Sequence, residues 1–395
     1  MRSISGSTSG SAEVLYLDHA ATSPVRPEVL DAMRPYLTGV FGNPSSHHTV
    51  GEAAAQALEW ARGRVAAALG VRTSEVIFTS GGTEANNLAV KGIVLGAMQA
   101  AHEPAGLITT PIEHESILQS AEYLRRLHGV PVRLLPVDGA GAVSVEDLRA
   151  ALDAAHTALV SIGHANNEIG TVQSVAELIS AAHARQVPVH VDAVQSAGWL
   201  DLRTLGADAI SIAGHKLGTP KGIGAVAVRS RVPLEPLLHG GGQERGRRSG
   251  TENVAGAVGL ATALDLAEAE RQQSVAWVAA QTETFITSVL DALPRASLTG
   301  SPDRRLPNLA SFTFAGTSGE SVLLELERRG VISSSGSACA AGSDDPSPVL
   351  LAIGVAPEVA QTSVRFTFGR APLPEGAAQH LAALVADAVA AVAGA

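Results

Sequence analysis

Lys216 closes the run AISIAGHK (209–216), an apolar strand pattern that ends in a small residue, a histidine and a lysine. A lone lysine in a turn is ordinarily solvated. At the carboxyl end of a strand, desolvation and a cationic neighbour keep its amine nucleophilic, the state needed to condense with a carbonyl. Lys221 competes for this role but sits in a PKG turn, a surface setting, so Lys216 is preferred. Asp192 lies within VHVDAVQ (189–195), at the end of a second apolar run, where open α/β sheets bind ligands. It reads either as the N-cap of the following helix or as a carboxylate that keeps a pyridinium nitrogen protonated, so that the ring withdraws electrons from a bound amino acid. Gln195, three residues on, can meet another ring substituent. A third segment, FTSGGTEANN (78–87), follows a strand pattern and opens a helix. The N–H groups near Gly81, Gly82 and Thr83 then point outward together and attract a phosphate, unless the segment is an ordinary loop capped by Thr83.

Cys339 is the single cysteine, which excludes an internal disulfide framework and a thiolate cage for zinc or iron-sulfur within one chain. Isolated cysteines are mostly small buried hydrophobes. This one lies in SSSGSAC (333–339) followed by AAGSDDPSP (340–348), a small, polar, turn-rich composition that predicts an exposed mobile loop. A mobile thiolate can visit a bound substrate, take its sulfur and swing out to pass that sulfur on.

Positioning these groups requires a sheet. Short apolar runs at 76–79, 107–110, 158–162, 189–191, 209–213 and 224–228 alternate with helical stretches such as 84–100 and 175–185, the pattern of crossover helices between parallel strands. The predicted class is α/β with a mostly parallel sheet. Beyond about residue 254 the pattern changes to a long Ala-rich helix, strands at 309–314 and 363–368 and a helical C-terminus, which marks a smaller α+β domain. The expected division is a flexible tail at 1–14, a large domain at 28–265, and a small domain formed by 15–27 with 266–395. A formal net charge of -10 argues against broad attraction to nucleic acid or anionic lipid. No apolar stretch approaches the roughly 20 residues of a membrane span, and the beginning lacks a secretory signal, so a cytoplasmic location is expected. The run ERGRR (244–248) reads as part of a subunit interface or phosphate site, and the histidines lack a metal-ligand spacing.

From residue 16 to 370 the sequence resembles the cysteine desulfurases of nitrogen fixation and iron-sulfur cluster assembly, fold-type I pyridoxal-phosphate enzymes of the class V aminotransferase family. The motifs that carry the resemblance, in family order, are YLDHAAT (16–22), FGNPSS (41–46), TSGGTE (79–84), EHESI (113–117), ANNEIG (165–170), HVDAVQS (190–196), GHK (214–216), HGGGQER (239–245), RSGT (248–251), SSGSAC (334–339) and VRFTFGR (364–370). The resemblance implies pyridoxal 5'-phosphate on Lys216, His114 stacked on its ring and moving protons, and Asn167 and Gln195 at its polar edge. It implies Gly82, Thr83 and His215 at the phosphate, with Thr251 reaching the phosphate of the neighbouring subunit in a homodimer. Arg365 would grip the carboxylate of L-cysteine, and Asn167 would also contact the substrate. Two positions depart from the common pattern: Ala213 where many relatives have a phosphate-binding serine, and Gly218-Thr219 where an aromatic-glycine pair is frequent. A lost hydrogen bond to a charged group is worth about 1.5 to 3 kcal/mol, so Ala213 bears on cofactor affinity more than on identity.

The implied reaction converts L-cysteine to L-alanine. The Lys216 amine, once displaced from the cofactor, moves the Cα proton, and the Cys339 thiolate takes the substrate sulfur as a persulfide for an acceptor protein. The alternatives are a selenocysteine lyase or other group-transfer enzyme on the same scaffold, and, in another class, a non-catalytic partner in a sulfur relay.

Overall fold

The computed structural model of the protein describes residues 14–101, 105–335 and 345–394. Cys339, and the expected tail apart from Val14, lie outside them. In chain order the strands are β1 (Leu15–Tyr16), β2 (Val76–Thr79), β3 (Gly106–Thr109), β4 (Val132–Leu134), β5 (Thr157–Gly163) and β6 (Val189–Asp192). They continue with β7 (Ala209–Ala213), β8 (Gly224–Val228), β9 (Ala296–Leu298), β10 (Leu309–Phe314), β11 (Val331–Ile332) and β12 (Ser363–Thr367).

Seven strands form the main sheet in the order β2-β8-β7-β6-β5-β3-β4. Only β8 runs antiparallel to its neighbours, because the short link from β7 leaves no room for a crossover helix. Those pairings bring the carboxyl ends of β2, β3, β5, β6 and β7 to one edge of the sheet. Strands β2, β6, β7 and β8 are buried along their whole length, which is why they read as continuous apolar runs without alternation. The strands β1, β4, β9 and β11 carry no sequence signal, since two or three residues cannot display a period.

The other strands make an antiparallel β12-β10-β9 sheet and a parallel β1-β11 pair that joins Leu15 to Val331. The helix Val254–Ala292 links the two regions: Val258, Leu260 and Leu264 pack in the core under the main sheet, while Phe285 and Val289 pack in the core of the antiparallel sheet. There Phe285 meets Phe312, Phe366 and Phe368 edge-on at 5.9, 5.1 and 5.6 Å. Such aromatic pairs add about 0.5 to 1.5 kcal/mol each beyond area burial.

The predicted helix at 84–100 differs in one respect. It starts at Gly82 and is interrupted by a π-turn, Leu88–Gly92, before Ile93–Ala101 resumes. Gly92 sits against Leu234 and Glu235, where a Cβ would lie 2.7 Å from Leu234 Cδ1 and 2.8 Å from the Glu235 carbonyl oxygen, so the approach needs glycine. The basic run at 244–248 is drawn into pairs within the chain. Glu244 is buried against Arg62 with bonds of 2.6 and 3.0 Å, Arg248 pairs with Glu84 at 2.8 Å, and Arg245 faces Glu59 at 3.4 Å. Among the described residues no helix is long and apolar enough to cross a membrane.

Candidate active site

The carboxyl edge of the main sheet ends in a pocket whose lining includes Gly82, Thr83, His114, Asn167, Asp192, Gln195, His215 and Lys216. Each arrives from a strand end or the start of the element that follows it. Asp192 ends β6, Lys216 ends the single turn after β7, and Gly82 opens the helix after β2. Gly82 has no room for a side chain: a Cβ would meet Val194 Cγ2 at 2.9 Å and the Ala213 methyl at 3.3 Å.

Asp192 is held by two donors. The Val194 N–H reaches Oδ1 at 2.9 Å and Asn86 Nδ2 reaches Oδ2 at 2.7 Å. The second hydrogen on Asn86 Nδ2 goes to Ser116 Oγ at 2.9 Å, and Ser116 Oγ contacts His114 Nδ1 at 2.8 Å. The Ser116 backbone N–H also donates to His114 Nδ1, at 3.0 Å, which leaves the ring proton on Nε2. One amide thus ties the carboxylate to the histidine. Burial lowers the His114 pKa, with the positive Lys216 adding to the effect against Asp192. His215 is pushed down to about 4 by burial and then by Lys216 and Lys221, so both rings are neutral at pH 7.

Asn86, Ser116 and Glu113 have no assigned role in the sequence reading, although they lie in its quoted motifs. Asn86 stands three residues after Thr83 on the same helix, a spacing that shares a face and is the signal that finds it. Glu113 accepts from Thr110 Oγ1 at 2.7 Å and from the Gly163 N–H at 2.8 Å. Burial, with the Asp192 charge nearby, pushes its pKa up to about 8, so it is a neutral acid in the pocket wall.

Two predicted residues lie outside the pocket lining. Arg365 is 1% exposed beneath the pocket, where Nη2 donates to Asp18 Oδ1 at 2.8 Å and Nη1 to the Asn167 carbonyl at 2.9 Å. Thr251 is exposed on a separate groove beside Ser80 and Arg248. Cys339 lies outside the described residues. The GT pair after the lysine has a local cause: Gly218 is at φ +94 with its carbonyl bonded to the Arg26 N–H, and a Cβ would fall 2.6 Å from Arg26 Cγ. An aromatic residue has no place there.

Residues 15–376 match the family model for aminotransferase class V. This chain belongs to that family. It is 44% identical over 357 residues to the cysteine desulfurase IscS of Dictyoglomus turgidum, spanning 90% of this chain and 89% of that protein. It is 43% identical over 358 residues to an IscS-like cysteine desulfurase of Mycobacterium tuberculosis, spanning 90% and 91%. Among solved structures, a NifS-like protein superposes with a TM-score of 0.86 at 33% identity, covering 95% of this chain and 99% of that one. SspA in complex with cysteine does so at 0.77 and 35% identity, covering 91% and 100%. Fold-type I and dependence on pyridoxal 5'-phosphate follow from this membership. The class V donor set is present: a primary amine, a buried carboxylate on the neighbouring strand end, a neutral imidazole, and a glycine-floored turn carrying a hydroxyl.

Proposed function

We propose that the protein is a cysteine desulfurase that converts L-cysteine to L-alanine and holds the sulfur on Cys339 as a persulfide. The observation that carries this reading is the convergence of Lys216, Asp192 and His114 in one pocket, in a chain 44% identical to a named cysteine desulfurase. Pyridoxal 5'-phosphate, when bound, supplies an aldehyde for the substrate amine and an electron-withdrawing ring. Asp192 would hold the ring-nitrogen proton, and its two donors keep its carboxylate fixed for that task. Gly82, Thr83 and His215 would hold the phosphate, and Gln195 and Asn167 would meet the polar edge. His114, with its proton on Nε2, would stack on the ring. Lys216 would hold the aldehyde, and its amine, once free, would move the substrate Cα proton.

Arg365 binds the substrate carboxylate. Its guanidinium already holds one carboxylate, Asp18, so its planar fork is oriented for carboxylate binding. The Cys339 thiolate then attacks the substrate sulfur: an S–S bond forms, the Cβ–S bond breaks, and its electron pair stays on the three-carbon fragment, which gains protons to leave as alanine. An acceptor protein collects the persulfide sulfur. Thr251, exposed and outside the lining of its own pocket, completes the partner subunit's phosphate site in a cytoplasmic homodimer. The unit at 28–265 carries the cofactor, the unit made of 15–27 and 266–395 carries Arg365 and Cys339, and 1–14 is a tail.

The test is Cys339→Ser. The variant still binds cysteine and changes the cofactor absorbance, but makes neither alanine nor a protein persulfide, because a hydroxyl supplies no comparable nucleophile for divalent sulfur. Wild type labels once per chain. Alanine release by the variant at the wild-type rate, without added thiol, refutes the assignment of Cys339.

A further inference from the structure

A second cavity, of about 460 Å³, adjoins the cofactor pocket and shares Val194, Gln195 and Lys216 with it. Its volume falls in the range of small-molecule sites, and exposed Pro24 and Ala371 lie on its rim. Arg370 lines it. The guanidinium lies over the Trp199 ring at 4.3 Å, and both Nη1 and Nη2 are buried with no hydrogen-bond partner among the described residues. Space for this stacking depends on Gly198, at φ +75, where a Cβ would lie 2.4 Å from Arg370 Nη2.

The charge of Glu270 favours this cation, yet no carboxylate of the cavity hydrogen-bonds to it. Glu270 is engaged in a two-pronged pair with Arg26, at 2.6 and 2.8 Å. His19 has its pKa lowered by burial and offers no negative charge. Burial pulls Arg370 itself down only to about 10, so it stays charged at neutral pH. A buried cation with two unmade hydrogen bonds calls for oxygen acceptors, and a planar fork selects a carboxylate. A second unsatisfied atom narrows the class: Asn308 Oδ1 is buried without a donor, while its Nδ2 is fixed on the Phe368 carbonyl at 3.1 Å. An inorganic anion would set oxygen against that oxygen, whereas an ammonium group would satisfy it. Trp199, Trp277 and Leu217 supply an apolar wall for a side chain.

We propose that this cavity binds a small zwitterionic amino acid, carboxylate on Arg370 and ammonium on Asn308, as a site distinct from the cofactor pocket. The inference stands on these side chains and does not depend on the desulfurase reading. It is tested by calorimetric titration of L-alanine into borohydride-treated holoprotein, in which an amino acid can no longer join the cofactor. One saturable site per chain is expected. Arg370→Met weakens binding at least tenfold, and Arg370→Lys, which keeps the charge and guards against a folding failure, weakens it severalfold because the fork is gone. Propanoate, lacking the ammonium group, binds at least fivefold more weakly than L-alanine. The absence of a saturable site, wild-type affinity in both Arg370 variants, or equal affinity for propanoate each overturns the proposal.

Discussion

Glu244→Gln removes one charge from the buried pair that anchors the strand leading into the phosphate turn. Glu244 and Arg62 have side chains 1% and 3% exposed, and Arg62 Nη1 bridges Glu244 and the Val76 carbonyl of β2. Glu244 Oε2 also accepts the Phe78 N–H at 3.1 Å, two residues before the loop that reaches Gly82. Breaking a buried pair by neutralising one partner costs about 3 to 5 kcal/mol, since the remaining charge is left in a poor solvent. Arg62 keeps Glu59 at 2.9 Å and the Val76 carbonyl, and glutamine still accepts from Phe78, so the lower end, about 3 kcal/mol, is expected. Glu244 and Arg245 are non-glycine residues at φ +49 and +59, a strain of about 1 to 2 kcal/mol each that the pair offsets. Removing both charges as Arg62→Met/Glu244→Leu avoids the orphaned cation, and the double variant is therefore more stable than the sum of the single losses by at least about 2 kcal/mol. Urea unfolding of wild type, Arg62→Met, Glu244→Leu and the double variant measures this coupling, that of Glu244→Gln measures the single loss, and cofactor titration tests whether Glu244→Gln also loosens the phosphate turn. A loss below about 1 kcal/mol for Glu244→Gln, or simple additivity in the double variant, refutes the reasoning.

Borohydride reduction followed by peptide mapping is expected to find the pyridoxyl group on Lys216; a label on Lys221 reverses that assignment. Mixing Thr251→Ala with Lys216→Ala subunits restores activity above either parent, because heterodimers contain one undamaged site; no recovery argues against a shared site. His190 is fully buried between Ser161 and Ser211, with both ring nitrogens bonded at 2.9 Å, and burial holds its pKa at about 4. A folded-state pKa below the unfolded 6.5 contributes stability that is complete above pH 6.5 and lost as pH falls toward 4, about 3 kcal/mol at most. The difference in urea midpoints between wild type and His190→Gln should shrink across that window, and a pH-independent difference shows that His190 does not titrate there.

Sequence by itself determined the α/β class, the strands that are buried on both faces, and the strand-end placement of Asp192 and Lys216. These are legible because burial writes a continuous apolar run and the chemistry sits at its carboxyl end, so composition and position within ten residues are enough. Gly82 and Thr83 were legible for the same reason, as a turn between a strand and a helix. Tertiary structure alone decided which groups meet. Asn86 joins Asp192 across 106 residues and Ser116 across 30, Arg365 finds Asp18 across 347, and β1 pairs with β11 near the other end of the chain. No local pattern encodes such contacts, because the partner of a buried polar atom is fixed by where the sheet and its helices bring distant segments, and by the cost of leaving that atom unsatisfied. The stacking of Arg370 on Trp199 is of the same kind: the sequence shows an arginine after a glycine, and only the packed fold shows a cation with its hydrogen bonds unmade.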